Sequence, residues 1–206
     1  MLNRPGREQR AEQKRERILE EALTVFAEKG YHGANISDIA QRLSMGHGTF
    51  YRYFRNKHDI FIELIGQVMG QLAVVVTEQN PDKAHSVEDY RSQLQGIGET
   101  FMRLHWQDPR IARLVFYEAL GAGEEVRQTL ERMNELTALA TEAYLRNGVE
   151  KGYIRADLDV PVAARALMAM VFEACRQVVR EPDPAVASQR WSATIIGLIL
   201  GGITGK

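Results

Sequence analysis

The chain has 206 residues, of which 45% are hydrophobic and 26% charged, and its formal net charge is −1. This composition is typical of a globular protein of one or two domains and excludes a disordered, collagen-like or low-complexity chain. The single cysteine, Cys175, excludes an internal disulfide and a zinc site built from several thiolates. Residues 1–17 mix Arg and Lys with Glu, which does not indicate a secretory signal, and the apolar run 195–203 is too short to cross a bilayer. We therefore expect a cytoplasmic protein with no membrane partner.

The first half of the chain is predicted to consist of helices separated by cap residues. Apolar residues at helical spacing predict a helix over residues 12–29, which Gly30 closes. Asn35 caps a short second helix, and a third short helix spans about residues 47–53. Asn56 caps a longer fourth helix.

The second half repeats this pattern on longer helices. Ser86 begins a helix that runs to about Trp106, and a long amphipathic helix covers residues 124–147. Three further helices begin at Asp108-Pro109, at Asp159-Val160-Pro161 and at Asp183-Pro184, where proline occupies the first turn. No stretch shows the alternation of a β-strand, so the sequence predicts an all-α protein of about nine helices.

The uneven distribution of charge indicates which part of the chain meets a polyanion. Residues 1–59 contain 11 Lys or Arg and 8 Asp or Glu, a balance of +3, whereas the remaining residues contain 15 and 19, a balance of −4. A basic segment joined to an acidic one suggests that only the first part binds nucleic acid. A difference of this size also arises by chance.

Residues 35–57 predict a helix-turn-helix, because two short helices meet there across a tight turn. Ala40 is small where the second helix of the motif must pass close by. The apolar side chains supply a buried face, and the residues left outward on the second helix are His47, Gly48, Thr49, Tyr51, Arg52 and Tyr53. Hydrogen-bond donors and flat rings suit a surface that contacts base edges and phosphates. The alternative is a solvated helix at the corner of a bundle.

Three segments of the N-terminal quarter resemble the TetR family of bacterial transcriptional regulators. They are Ile18-Leu-Glu-Glu-Ala-Leu-Thr-Val-Phe-Ala-Glu-Lys-Gly-Tyr31, Ile36-Ser-Asp-Ile-Ala40 and Gly48-Thr-Phe-Tyr-Arg-Tyr-Phe-Arg-Asn-Lys57. The resemblance implies a three-helix DNA-binding domain with a short basic N-terminal arm over residues 1–56. A larger helical effector-binding and dimerisation domain over residues 57–206 follows, and its resemblance lies only in the order and length of its helices.

The resemblance also implies a role for each matching position. Thr49 and His47 lie where side chains reach base edges or a phosphate, and Gly48 allows a close approach to the DNA backbone. Tyr51 and Tyr53 would contact phosphates or thymine methyl groups.

Lys57, Arg52 and Ser37 complete the expected DNA contacts. Lys57 would bind a phosphate together with the free N–H groups of its helix. Arg52 either reads a guanine or holds a phosphate, and Ser37 is a further candidate on the preceding helix.

Gly46-His47-Gly48 departs from the Ser-Lys-Gly found in many members. Glycine is a tolerable N-cap, so the loss of serine weakens the recognition helix by up to about 0.5 kcal/mol. Histidine in place of lysine removes a permanent charge, which should reduce the salt dependence of DNA binding by about one unit per lost contact. DNA affinity would then rise below about pH 6.5, where an unperturbed imidazole becomes charged.

The basic N-terminal arm has two interpretations. Its cations alternate with Glu8, Glu12 and Glu16 and either form intrahelical pairs on a solvated helix or contact the DNA backbone.

The last two predicted helices carry more apolar surface than one monomer needs, which predicts a homodimer. A two-fold, inverted-repeat operator requires a dimer, and the family resemblance implies a four-helix interface. The expected interface residues are Met170, Val171, Ala174, Val178, Trp191, Ile195, Leu198 and Ile199. For any one of these residues, the alternative is that it packs in the hydrophobic core of the monomer.

The resemblance further implies a ligand pocket within residues 86–150. The candidate wall residues, which share aromatic or methionine character or a histidine ring, are Phe101, His105, Trp106, Phe116, Tyr117, Met133, Tyr144 and Met168. Core packing is again the alternative. No cluster of Arg or Lys requires an anionic ligand, so a largely apolar small-molecule effector is expected.

No catalytic or nucleotide-binding motif occurs in the sequence, and neither a metal nor a cofactor is expected. The prediction is a sequence-specific, homodimeric repressor that a small apolar ligand releases from double-stranded DNA. Activation by the ligand, ligand-independent control, and an α-helical enzyme or protein-interaction module are the alternatives. The operator, the regulated genes, the effector and the number of dimers per operator cannot be predicted from the sequence.

Overall fold

The protein is described by a computed structural model that covers residues 6–78 and 80–203. Within these residues the chain forms nine α-helices and no β-strand, which confirms the predicted all-α class. The helices are α1 (Arg7–Gly33), α2 (Ile36–Arg42), α3 (His47–Phe50), α4 (Lys57–Glu78), α5 (Val87–Gln107), α6 (Pro109–Arg113), α7 (Glu124–Glu150), α8 (Val160–Val178) and α9 (Pro184–Ile203). None of the helices in the described ranges has the length and apolar character needed to span a membrane.

The cap residues predicted from the sequence form the expected hydrogen bonds. The side chains of Asn56, Ser86, Asp159 and Asp183 each accept a hydrogen bond from the backbone N–H three residues later, at 2.8, 3.1, 3.2 and 3.1 Å. Each bond satisfies one of the N–H groups that the first turn of a helix leaves free.

Three local features differ from the sequence prediction. The helix breaks at Gly30 (φ 74°, ψ 160°), where the sequence predicts its end, but a further helical turn continues from there to Gly33 and is counted with α1. Helix α3 has only four residues, and a turn covers residues 51–53. Leu114–Glu118 adopt a π-helical turn directly after α6.

The contacts divide the chain into two compact units. One contains Met1–Val68 and Arg113–Arg127, and the other contains Met69–Ala112 and Gln128–Lys206. The predicted functional boundary after residue 56 stays a prediction.

Each unit has its own buried core. In the first unit α1 packs against α2, and the fully buried side chains include Phe26, Ile39, Phe50 and Phe61. In the second unit α5 packs against α8 and α9, around Tyr90, Phe101 and Met102.

The end of α7 is held close to the segment that leads to α8. The Gly148 carbonyl accepts hydrogen bonds from the backbone N–H groups of Tyr153 and Ile154, at 3.1 and 3.0 Å. A Cβ atom at Gly148 would lie 2.4 Å from Ile154 Cδ1 and 3.0 Å from Tyr153 Cε2. A side chain at position 148 would therefore have to displace the side chains of Ile154 and Tyr153.

Candidate nucleic-acid interface and ligand cavity

Helices α2 and α3 form the predicted helix-turn-helix. The Met45 N–H donates to the Ala40 carbonyl at 2.9 Å, and Ser44 adopts a left-handed conformation with φ of 50°. Ala40 is 1% exposed and Phe50 is fully buried, so the apolar residues of the motif face the core of the first unit. The polar residues of α3 are therefore directed outward.

The structure leaves most of the predicted DNA-contacting residues accessible. Ser37, His47, Gly48, Tyr51 and Arg52 are exposed, whereas Thr49 and Tyr53 are half-buried. The side chains of His47 and Arg52 form no hydrogen bond or ion pair with the described residues. A donor-rich surface of this kind is available to base edges and phosphates.

Two cations of α1 lie beside this surface. Lys14 and Arg17 line a cleft together with Thr49 and the turn residues 43–46. Both side chains are exposed. Part of the basic arm therefore lies next to the first turn of α3; Arg4, the first cation of that arm, lies outside the described residues.

Arg15, also on α1, is held within the first unit instead. Its Nε donates to Glu63 Oε1 at 2.8 Å, its Nη1 donates to the Tyr53 carbonyl at 3.0 Å, and its guanidinium lies 4.4 Å from the centre of the Phe54 ring. This residue ties α1 and α4 to the turn that follows α3. The ion pair with Glu63 has no local sequence signal, because the partners are 48 residues apart.

The break in α1 is stabilised by one cation and one carboxylate. The Tyr31 N–H donates to Glu118 Oε2 at 2.8 Å. Lys57 Nζ donates to the carbonyls of Tyr31, His32 and Ala34 at 2.8, 3.2 and 3.1 Å. These side chains satisfy backbone groups that lose their helical partners at Gly30.

The ammonium group of Lys57 is thus occupied by backbone carbonyls, and it also lies 4.7 Å from the centre of the Tyr31 ring. A phosphate contact by Lys57 would have to share the ammonium with these carbonyls. The phosphate contact stays a prediction, and the structure adds a positioning role that sequence reasoning missed.

Two further cations, Lys29 on α1 and Arg42 at the end of α2, pair with acidic residues. Lys29 Nζ lies 2.6 Å from Asp38 Oδ1, and Arg42 pairs with Glu28. The hydrogen bond from Lys29 and the backbone N–H of Asn35 hold the pKa of Asp38 below its usual range. The Asp38 carboxylate also accepts from the Asn35 N–H at 2.9 Å, so it remains charged where α2 begins.

An apolar cavity lies in the second unit between α5, α7, α8 and α9. Its wall includes Leu94, Ile97, Leu167 and Ile196, and no Lys, Arg, His, Asp or Glu lines it. Its volume is about 70 Å³, smaller than the roughly 300–1,000 Å³ of ligand pockets. The cavity would therefore have to widen to admit a large ligand.

Three of the eight predicted pocket residues line this cavity: Phe101, Tyr144 and Met168. Three others, His105, Trp106 and Met133, belong to the second unit but do not line it, and Phe116 and Tyr117 belong to the first unit. His105 is 1% exposed and its Nδ1 lies 2.9 Å from the Phe101 carbonyl. Burial lowers the pKa of His105, which favours the neutral ring.

The predicted dimer residues fall into three groups in the single chain. Val171, Ile195 and Ile199 line the cavity, and Ala174 and Val178 are fully buried. Leu198 is 65% exposed, whereas Met170 and Trp191 are half-buried. The exposed part is a groove, which we call the α8–α9 groove, lined by Leu145, Ala163, Ala166, Leu167, Met170, Leu198 and Ile199.

No metal site is formed by the residues that the structure describes, since none of their His, Cys, Asp or Glu side chains form a group of three or more. Cys175 is fully buried, and burial raises the pKa of its thiol to about 12. It is therefore an unreactive thiol in the folded chain.

Comparison with known proteins relates the whole chain to bacterial regulators. Residues 18–64 match the family described as bacterial regulatory proteins, tetR family. The fatty acid metabolism regulator protein of Bacillus subtilis is 28% identical over 189 residues, which is 92% of this chain and 95% of that protein. The transcriptional repressor KstR2 of Mycobacterium tuberculosis is 25% identical over 194 residues, or 93% of each chain.

A similar solved structure is that of the transcriptional regulator FadR from Bacillus subtilis in complex with stearoyl-CoA. It is 25% identical, has a TM-score of 0.75, and covers 88% of this chain and 97% of that one. The helix-turn-helix, its outward polar face and these matches define a DNA-binding regulator of transcription rather than an enzyme. Residues 18–64 therefore form a DNA-binding domain of the tetR-family type, and the similarity to regulators of this type extends over 92% of the chain.

Proposed function

We propose that this protein is a homodimeric repressor that binds an inverted-repeat operator and leaves it when an apolar ligand occupies the cavity. The observation that carries the proposal is the accessible polar face of α3 on a helix-turn-helix whose apolar residues are buried. A recognition helix has this division of side chains. Because its proposed target is DNA, we infer that the protein acts in the cytoplasm. We further propose that residues 1–56 form the DNA-binding domain and that residues 57–206 form the effector-binding and dimerisation domain.

The proposed DNA contacts extend the predicted set by two cations. Ser37, His47, Gly48, Thr49, Tyr51, Arg52, Tyr53 and Lys57 form the predicted surface. Lys14 and Arg17 are added because their cleft opens beside Thr49. We assign them phosphate contacts, which are independent of sequence and sensitive to salt.

The α8–α9 groove is proposed as the contact with the second protomer. Leu198 is 65% exposed and Val162, near the start of α8, is 62% exposed. Leu198 lines the groove and Val162 lies next to its residue Ala163, and apolar side chains exposed to this extent favour burial against a partner helix.

The effector is proposed to be a long-chain acyl thioester. The similar FadR structure from Bacillus subtilis is a complex with stearoyl-CoA. The cavity wall here is apolar and carries no charged residue, which suits an alkyl chain and leaves the charged part of such a ligand outside the cavity. Binding must favour one dimer conformation over the other, because only that difference in affinity can release the DNA.

The first test is the selection of bound sequences from a random DNA pool at about 0.15 M salt with non-specific competitor DNA. We expect enrichment of an inverted repeat. Arg52→Ala should abolish the enrichment, and the matched control Arg55→Ala should keep it, because Arg55 pairs with Asp59 at 2.8 Å. The absence of any enriched sequence, also after unfolding and refolding to remove a retained ligand, would contradict the proposal.

The second test uses the selected DNA. Stearoyl-CoA should dissociate the complex in fluorescence anisotropy, whereas coenzyme A alone should not. Continued binding in the presence of saturating stearoyl-CoA would exclude this ligand class and leave the DNA-binding proposal intact.

A further inference from the structure

Ser192 is the polar side chain in the cavity wall that lacks a hydrogen-bond partner. It lies on α9 one turn before Ile195 and Ile196, which also line the cavity, and it is 3% exposed. Its Oγ forms no hydrogen bond with the described residues. A buried hydroxyl without a partner destabilises the folded state, and such groups are rare in folded proteins.

The other hydroxyl groups of the wall are engaged. Thr137 Oγ1 donates to the carbonyls of Met133 and Asn134 at 3.1 and 3.0 Å, and Thr141 Oγ1 donates to the Thr137 carbonyl at 2.8 Å. Tyr144 also has an interaction of its own. A helical serine commonly donates to the carbonyl four residues earlier in this way, and Ser192 does not.

The space in front of Ser192 is preserved by a small residue. Gly98 on α5 faces it, and a Cβ atom at Gly98 would lie 3.6 Å from Ser192 Oγ. The absence of a side chain at Gly98 leaves room for a ligand atom within reach of the hydroxyl.

We propose that Ser192 is a specificity-determining residue that donates a hydrogen bond to a neutral oxygen of the bound ligand. This inference rests on the proposed function, because it assumes that the effector enters the cavity. The recognised group is a carbonyl of a thioester, ester or ketone, since no cation lines the wall to balance a carboxylate or phosphate. The cavity thereby distinguishes an oxygen-bearing chain from a plain hydrocarbon.

The test compares 2-nonanone with 2-methyl-1-nonene, which replaces the carbonyl oxygen by a methylene group of similar shape. Affinities are measured on the full chain by tryptophan fluorescence and by ligand-induced thermal shift. Ser192→Ala should weaken the binding of 2-nonanone about three- to tenfold and leave the binding of the alkene unchanged. The matched control Ser188→Ala should change neither, because Ser188 is buried on the same helix but does not line the cavity.

The ligand-free variant supplies a second measurement. Because Ser192→Ala removes an unpaired buried hydroxyl, its Tm should be about 2–4 °C higher than that of the unaltered protein. A lower Tm would mean that the hydroxyl has a hydrogen-bond partner in the ligand-free protein. If the variant weakens both probes equally, Ser192 only lines the cavity and the inference is wrong, while stearoyl-CoA can still release the DNA. If the unaltered protein binds neither probe nor stearoyl-CoA, the inference and the proposed ligand response fail together.

Discussion

Gly148 illustrates how a single residue controls the packing of the second unit. A methyl group there would overlap Ile154 Cδ1 at 2.4 Å and Cγ1 at 2.7 Å. We expect Gly148→Ala to lower the free energy of unfolding by about 1–3 kcal/mol, as overpacking does in buried sites. Chemical denaturation measures the change.

The control for this prediction is Gly66→Ala on α4, where a Cβ atom meets nothing within 4 Å. This substitution should be neutral or stabilising, because alanine favours a helix by about 0.5–1 kcal/mol. The cost of Gly148→Ala should shrink in an Ile154→Val background, which removes Cδ1. If Gly148→Ala lowers the free energy of unfolding by the same amount in the Ile154→Val background, the overlap with Ile154 Cδ1 is not the cause of the loss.

Cys175 gives the stability of the chain a dependence on alkaline pH. Burial raises the pKa of the thiol to about 12, above its ordinary value of 9.0, and burial also raises the pKa of Tyr144 to about 12. The unfolded chain therefore ionises first, and stability that is fully present below pH 9 is lost as the pH rises from about 9 to 12. Each linked proton contributes a slope of about 1.4 kcal/mol per pH unit.

Urea unfolding at a series of pH values measures this slope. Cys175→Ala should reduce the slope of stability against pH by the contribution of up to one proton, which is about 1.4 kcal/mol per pH unit. This reduction is expected whatever the effect of the substitution on stability at pH 7. An unchanged slope would mean that the thiol ionises equally in both states.

At the scale of one element, the break in α1 depends on a cation from another helix. Lys57→Met keeps the apolar stem but leaves the carbonyls of Tyr31, His32 and Ala34 without the ammonium. We expect the free energy of unfolding to fall by about 1–3 kcal/mol. Lys29→Met is the control, because its pair with Asp38 is solvent-exposed and such pairs contribute about 0–1 kcal/mol.

The same variant tests the DNA contact predicted for Lys57. If Lys57 also binds a phosphate, the slope of log affinity against log salt should become shallower by about one unit per protomer, or about two units for the dimer. A slope equal to that of the unaltered protein would leave Lys57 with the positioning role alone. Equal losses of stability in Lys57→Met and Lys29→Met would contradict that role.

The helices were predictable where their signals are local. The caps at Asn56, Ser86, Asp159 and Asp183 are read from residues within one turn, so the sequence alone located these helix starts. The π-helical turn at Leu114–Glu118 has no such signal. The bond from Tyr31 to Glu118 joins residues 87 positions apart, and no local pattern indicates it.

The cavity was less predictable for a different reason. Aromatic and methionine residues at helical spacing indicate burial, and burial alone does not distinguish a cavity wall from a filled core. Phe101 lines the cavity, whereas His105, one turn later, is buried against the Phe101 carbonyl. Much of the wall consists of aliphatic and small residues such as Ile97 and Gly98, which the sequence does not mark.

At the scale of the whole molecule, the proposed dimer makes DNA binding depend on the α8–α9 groove. Leu198→Glu places a charge on a side chain that is 65% exposed in the single chain, so the monomer should fold normally. Burial of that carboxylate in an interface would be strongly unfavourable. We expect a monomer in sedimentation analysis and loss of binding to the inverted repeat.

Val186→Glu is the matched control for the dimer. Val186 is 51% exposed on the same helix but does not line the groove, so this variant should remain dimeric. A dimeric Leu198→Glu variant would place the interface elsewhere.

The carboxylate of Glu118 has a consequence for the order in which the protein is made. The first unit consists of Met1–Val68 together with Arg113–Arg127, and the Tyr31 N–H finds its partner only in the later segment. At about 5–20 residues per second, a ribosome needs about 3–10 s to synthesise the residues between Val68 and Glu118. During that interval the nascent recognition helix exists on a unit that is still incomplete. The first unit can therefore acquire its last hydrogen-bond partner for Tyr31 only after translation has passed Glu118.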